Sequence, residues 1–332
     1  MSRVSWSRMA ILTIIAVSVL SIAPAVGSQR LPWAVLGTPF AADPASVILW
    51  QIRLPRVFAA FVGGAGLALG GAVFQAIFRN PLATPYTLGV ASGASLGVAV
   101  AMRLGILAGA GVAIGSPVAA FVGAMFSIGV VWTVSRLRPD FSSTVLLLAG
   151  VAMTFFFSSL ILFLQYTATL GDSFRLVRWL MGGLGAVEWG RLGWMSASVM
   201  VGAAVVLARP RTLDLMTVGS EIAASRGVSL ERSRTVLFVA TSLMVAGVVA
   251  ACGPIGFVGM MAPHICRILL GAHHRVLLPA SAVFGGAFLV ACDTVARTVM
   301  APMELPVGII TAFLGGPFFL VLLIRRQHLG GW

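Results

Sequence analysis

Lysine is absent from the 332 residues, and asparagine occurs once, at Asn80. The missing amine excludes two chemistries. A phosphate-cradling loop of the form GxxxxGK[ST] needs its lysine on the terminal phosphates, and Schiff-base catalysis needs one as nucleophile. Any energy drawn from ATP must therefore enter through another chain. Charge of either sign is sparse, at 9% of residues, and only nine residues are acidic. The three cysteines, Cys252, Cys266 and Cys292, lie in apolar text without CxxC or metal-ligand spacing and read as small buried hydrophobes. No HExxH, no GxSxG and no carboxylate pair within an apolar run occurs. His264 follows Pro263 in an apolar run and reads as a packed or capping residue, His273 and His274 read as a short loop, and His328 lies in the tail.

What the chain has instead is hydrocarbon. Hydrophobic residues make up 59% of it and the mean hydropathy is +1.03, a membrane composition. Runs without a charge cover 9–29, 57–78, 80–102, 104–135, 141–171, 235–266 and 305–324, with shorter ones at 192–208 and 276–292. A helix needs about 20 residues to cross a bilayer. Breaking the long runs at Gly and Pro gives ten crossings, near 9–26, 57–78, 86–102, 112–134, 144–165, 192–207, 235–255, 258–270, 277–296 and 307–323, the eighth too short for a full span. The basic, apolar, small-residue order of the N-terminus imitates a secretory signal; its length and the spans that follow make it an uncleaved first crossing.

The net charge of +13 invites a nucleic-acid reading, but the arginines fall between the apolar runs. Ten crossings put both termini on one side, with fourteen arginines there against eight opposite, which favours cytoplasmic termini. The outer arginines then need a reason of their own. Gly89, Gly93 and Gly97, and Gly66 with Gly70, recur every fourth residue, the spacing that lets helix backbones touch. Two readings stand: tight packing inside one bundle, or a pathway or dimer seam.

Two stretches are polar enough to lie outside hydrocarbon. Residues 209–234 form the longest charged stretch; Ser220 can cap a short helix through Ala224, Gly227 can end it, and Ser229 can cap the next. Residues 171–191 put Phe174, Val177, Leu180 and Met181 on one helical face, suited to lying along the membrane surface. Asp293 is the one acid inside a predicted span. Buried bare it would cost about 2.5–3.5 kcal/mol, so a partner is expected, and Arg297 sits one turn later. A proton-relay use of Asp293 would make the chain an ion-coupled secondary transporter.

Several stretches together resemble the FecCD-type permeases, membrane subunits of ABC importers for iron siderophores, haem and cobalamin. They are RLPRVFAAFVGGAGLALGGAVFQAIFRNPLATPYTLGVASGASLG at 53–97, LLLAGVAM at 146–153, GPIGFVGMMAPHICR at 253–267, HRVLLP at 274–279 and ELPVGIITAFLGGPFFLVLLIRR at 304–326. The resemblance implies an all-α polytopic fold of about ten helices forming one permease domain over 1–332, with short coupling helices in the 209–234 loop. It implies a second permease copy, separate ATPase subunits, an external binding protein, a bacterial cytoplasmic membrane and no cofactor. Iron siderophores are the commonest cargo of that family. By the same resemblance, Asn80 and Leu82 of the Asn-Pro-Leu turn, with Ser143 and Thr144, narrow the cytoplasmic end of the pathway. Arg53, Arg56 and Arg297 face the binding protein and pair with acids on its lobes. Ser220, Glu221, Ala224, Arg226, Gly227 and Val228 match the helix lodged in the ATPase groove, although Ser225 and Arg226 depart from the family's usual Leu-Gly-Val text. From the absence of a nucleotide-binding lysine, vesicles reconstituted with this polypeptide alone should take up none of these cargoes above leak when supplied with ATP; uptake at full rate would contradict the reading.

Overall fold

The computed structural model describes residues 3–27, 29, 32, 35, 37, 39, 43–105, 112–136, 143–185, 187–226 and 229–328. Every regular element among them is helical. The order begins with α1 (Arg3–Ile22), α2 (Pro44–Val47), α3 (Leu54–Phe78), α4 (Val90–Arg103) and α5 (Val112–Arg136). It continues with α6 (Ser143–Tyr166), α7 (Leu170–Leu180), α8 (Trp189–Leu207), α9 (Pro210–Val218) and α10 (Ser220–Ser225). It closes with α11 (Leu230–Cys252), α12 (Val258–Leu270), α13 (His274–Thr298) and α14 (Val307–His328). Six helical stretches are long and apolar enough to cross a membrane, and four shorter apolar ones, Ser7–Ile22, Val90–Arg103, Val258–Leu270 and Val307–Leu322, stand beside them. The ten crossings read from the sequence fall on these ten, one to each.

The ends differ from expectation where polar backbone chemistry decides them. The second crossing starts at Pro44, not Val57. The Asp43 carboxylate accepts from the Ser46 N–H at 3.0 Å, and Pro44 sits at the first helical position, so this start is capped. The helix then runs through a π-helical turn, Ile48–Arg53, into α3. Pro55 has no N–H to return to the preceding turn, and widening that turn accommodates the loss.

Two crossings are cut short, and their lead-in segments explain one another. α4 begins only at Val90, after residues 79–89 have left helix geometry; α12 begins at Val258, after residues 253–257. Arg79, Gly89, Gly253 and Phe257 all have positive φ, the reversals that let the chain turn within the bundle. The Ile255 N–H donates to the Tyr86 hydroxyl at 3.1 Å, joining the two breaks. The Gly183 N–H donates to the Cys252 carbonyl at 2.7 Å. Free backbone groups at membrane depth need such partners, because lipid supplies none.

α3 is the central element, packed on α8, α11, α12 and α13, while α4 packs on α5 and α6. Glycine makes these seams. A Cβ at Gly71 would land on the Gly259 carbonyl, one at Gly64 on the Gly285 carbonyl, and one at Gly97 on the Ala119 carbonyl. Gly93 and Gly97 therefore lie in an α4–α5 seam within one chain, and Gly66 and Gly70 meet Val199, Val248 and Val245. Beside them Phe74 stacks on Phe78 at 5.5 Å and meets the edge of Phe238 at 5.7 Å. Burial divides the bundle: 78% of the best α3 and α11 windows is buried, against 17% for α6, which turns Phe155, Leu162 and Phe163 outward.

α7 falls within the stretch expected over 171–191; Leu176 packs inward, while Phe174, on the face expected along the membrane surface, is 69% exposed. Beyond it the chain dips inward, burying Leu184 and Val187 and setting Gly182 against Pro254. Gly71→Ala should destabilise the fold by about 1–3 kcal/mol, since a backbone carbonyl has no rotamer to escape by. Gly129→Ala, in open space inside α5, should instead be neutral to stabilising, by up to about 1 kcal/mol. Thermal melts in detergent check the pair.

Candidate functional site

At one end of the bundle, the N-terminus of α3 and the C-terminus of α13 bring five charged groups together. Arg56 Nε donates to both Asp293 oxygens at 3.0 Å, and its Nη2 lies 3.0 Å from Oδ1. Its Nη1 reaches Glu304 Oε2 at 2.6 Å. Arg297, one turn beyond Asp293 as its spacing predicted, makes ion-pair contact at 3.1 Å and donates to the Ala23 carbonyl at 3.2 Å. Arg53 donates to the carbonyls of Pro24 at 3.0 Å and Gln29 at 2.6 Å. All three arginines are 5% exposed and Asp293 1%, whereas the Glu304 side chain is 48% exposed. The three guanidiniums expected to face a binding protein thus have their partners inside the chain. Three positive and two negative groups leave the cluster at +1.

Removing one member of such a cluster leaves another buried and unbalanced. Asp293 is also no free proton carrier, because arginines occupy both of its oxygens.

The opposite end is organised by Asn80. Its Oδ1 accepts from the Leu82 N–H at 2.9 Å, an Asx turn, while its own N–H donates to the Gln75 carbonyl at 3.2 Å. Thr84 and Thr87 then cap the short 3₁₀ turn Pro85–Leu88, with Thr87 Oγ1 donating to the Thr84 carbonyl at 2.6 Å. The single asparagine and two prolines of FRNPLATPYTLG therefore reverse the chain and lead it into α4. Asn80 and Leu82 are half-buried, and Thr87 and Leu88 lie against Gly150 of α6. Ser143 and Thr144 start α6, but their side chains lie outside what is described.

Of the coupling residues, Ser220 is the first residue of α10 rather than its cap, and the helix ends at Ser225. Ala224 and Arg226 are exposed, Gly227 and Val228 lie outside the described residues, as do the side chains of Ser220 and Glu221. Ser229 holds the cap position of α11 without a side-chain bond.

Sequence reasoning missed the joints around this segment. His274 is not a loop residue but the first of α13; Asp214 of α9 accepts from its N–H at 2.9 Å and lies 2.6 Å from its Nδ1. Arg79 Nε donates to the Met216 carbonyl of α9 at 2.9 Å. Gln75 joins α3 to α12 by accepting from Arg267 at 3.0 Å. A lone acid within the basic 209–219 text was the available signal for Asp214.

A bundle of ten apolar helical segments, two of them broken at membrane depth, is the architecture of a multi-pass membrane protein. The chain belongs to the FecCD transport family, whose sequence profile matches residues 10–325. It is 41% identical over 310 residues to the cobalamin import system permease protein BtuC of Halobacterium salinarum, covering 91% of this chain and 82% of that one. It is 38% identical over 319 residues to the vitamin B12 import system permease protein BtuC of Klebsiella pneumoniae, covering 96% and 94%. A solved inward-facing metal-chelate type ABC transporter superposes with a TM-score of 0.85 at 31% identity, over 96% of this chain and 99% of that one.

Arg56→Ala should lower stability by on the order of 3 kcal/mol, since Glu304 loses its partner and Asp293 retains only Arg297. The triple change Arg56→Met, Asp293→Leu, Arg297→Met, which leaves neither Asp293 nor Arg297 buried without its partner, should recover much of it, as measured by detergent melting.

Proposed function

We propose that this chain is the membrane permease of a binding-protein-dependent ABC importer and that its cargo is cobalamin. The observation that carries the reading is likeness along nearly the whole chain to two cobalamin import permeases, from an archaeon and a bacterium. The absence of lysine supports placing ATP hydrolysis on separate cytoplasmic subunits. The largely unburied α6 supports a second permease copy, the pair enclosing the pathway. The fourteen-to-eight arginine bias supports both termini in the cytoplasm, and membership of the family together with the likeness to a Klebsiella pneumoniae permease supports a bacterial inner-membrane location.

On this reading the 1–332 chain works as one permease domain. The turn of Asn80 and Leu82, with Ser143 and Thr144, forms the cytoplasmic gate. The 209–234 segment, through Ser220, Glu221, Ala224, Arg226, Gly227 and Val228, meets the ATPase. The Arg53, Arg56 and Arg297 end meets an acidic binding protein. The +1 cluster steers encounter, and direct pairing with Arg56 requires Glu304 to leave it. ATP-driven closure of the ATPase subunits moves the coupling segment and switches which end of the pathway is open.

A ferric chelate is the second reading, favoured by the metal-chelate type transporter that shares the fold at 31% identity. Proteoliposomes holding the permease, its ATPase and its binding protein should accumulate cyanocobalamin with ATP and leave ferrichrome and haem outside. Uptake of ferrichrome or haem instead reassigns the cargo. Uptake driven by a proton gradient without ATPase subunits, and lost in Asp293→Asn, would replace the importer reading with a secondary transporter.

A further inference from the structure

α9 carries the start of the proposed coupling segment, and two polar joints fix it to the bundle. At one, Asp214 caps α13 from a different helix. His273 holds the cap position without a side-chain bond, and Asp214 Oδ1 takes the orphan N–H of His274 together with the ring Nδ1. An ionised carboxylate only accepts, so Nδ1 carries the proton. The His274 side chain is 3% exposed, and the negative group lies at the positive end of the helix dipole. At the other joint, Arg79, the left-handed residue that ends α3, donates to the Met216 carbonyl. Leu213 and Met216 are buried between these joints.

The two helices so gripped are themselves locked together. Gly64 meets Gly285 backbone to backbone, Gly286 meets Phe61, and at the far end Arg56 binds Asp293. α13 spans 25 residues, about 37 Å. Its ends therefore join α9 to the arginine cluster.

We propose that Asp214 and His274 are positioning residues that make α9, α3 and α13 one rigid strut, delivering displacement of the 209–234 segment to the Arg56–Asp293 cluster across the membrane. Coupling over such distances is carried by packed elements and hydrogen-bonded joints, and here every joint is a named contact. The inference rests on the importer reading above.

The test uses the complete complex of permease, ATPase subunits and binding protein in nanodiscs or proteoliposomes. Spin labels go on Thr217→Cys of α9 and Val299→Cys at the end of α13, in complexes assembled with an excess of unlabelled permease so that the distance read lies within one copy; the three native cysteines are buried and stay unlabelled. With Asp214 in place the inter-label distance should be the same with and without ATP. In Asp214→Ala it should broaden or shift on ATP addition, and cargo moved per ATP hydrolysed should fall about tenfold, the worth of one charge-assisted hydrogen bond. Asp214→Asn, which keeps the oxygen acceptor, should recover most of that ratio. A nucleotide-dependent distance in the Asp214 protein overturns the strut, as does an unchanged ratio in Asp214→Ala. If Asp214→Ala does not fold, the distance measured with Asp214 in place and the Asp214→Asn ratio decide alone. Failure of the importer reading shows separately, as a wild-type chain with which no ATPase subunit co-purifies, and removes the inference with its premise.

Discussion

A peptide group that leaves a helix inside hydrocarbon finds no water to bond, and this fold is arranged around the two places where it happens. The segments before α4 and α12 each leave α-helix geometry, and one bond joins them, the Ile255 N–H donating to the Tyr86 hydroxyl; α3 packs on α12 and touches the 3₁₀ turn before α4. Glycines at Gly71, Gly150 and Gly182 bring backbone close enough to shut lipid out of these breaks. The central position of α3 follows, since it packs on α12, on α13 and on the 3₁₀ turn that leads into α4.

Charge obeys the same constraint in a different form. Many arginines are exposed, but the charged groups buried at the two ends of the bundle bind across helices. Arg56, Asp293 and Arg297 tie α3 to α13 at one end, and Arg79, Asp214 and His274 tie both to α9 at the other. Glu304 differs because half of its side chain stays in contact with the surroundings. It is the member of the cluster that a visiting molecule reaches first.

The sequence made the crossings legible because partition into lipid depends on composition, and composition survives in runs of twenty residues. All ten segments, the shortness of α12 and the i,i+4 pairing of Asp293 with Arg297 were readable that way. Contacts between distant positions were not. Nothing local in Arg56 announces a carboxylate 237 residues later, and nothing in Asp214 announces the helix start 60 residues later. Arg53, Arg56 and Arg297 lie together at one end of the bundle, but their burial depends on carbonyls and acids that only the packed bundle assembles. Helix ends moved for a related reason: the capping of Pro44 by Asp43 and the reversal at Phe257 are backbone events beneath the apolar average.

The brevity of α12 and α4 also bears on how the molecule is made. Thirteen or fourteen residues are too few to hold themselves across a bilayer. Neither helix can be settled in lipid as it leaves the ribosome. Each waits for the groove that α3 and its longer neighbours provide, so biogenesis has an order: long segments insert first, and the broken ones are drawn in when their hosts have met.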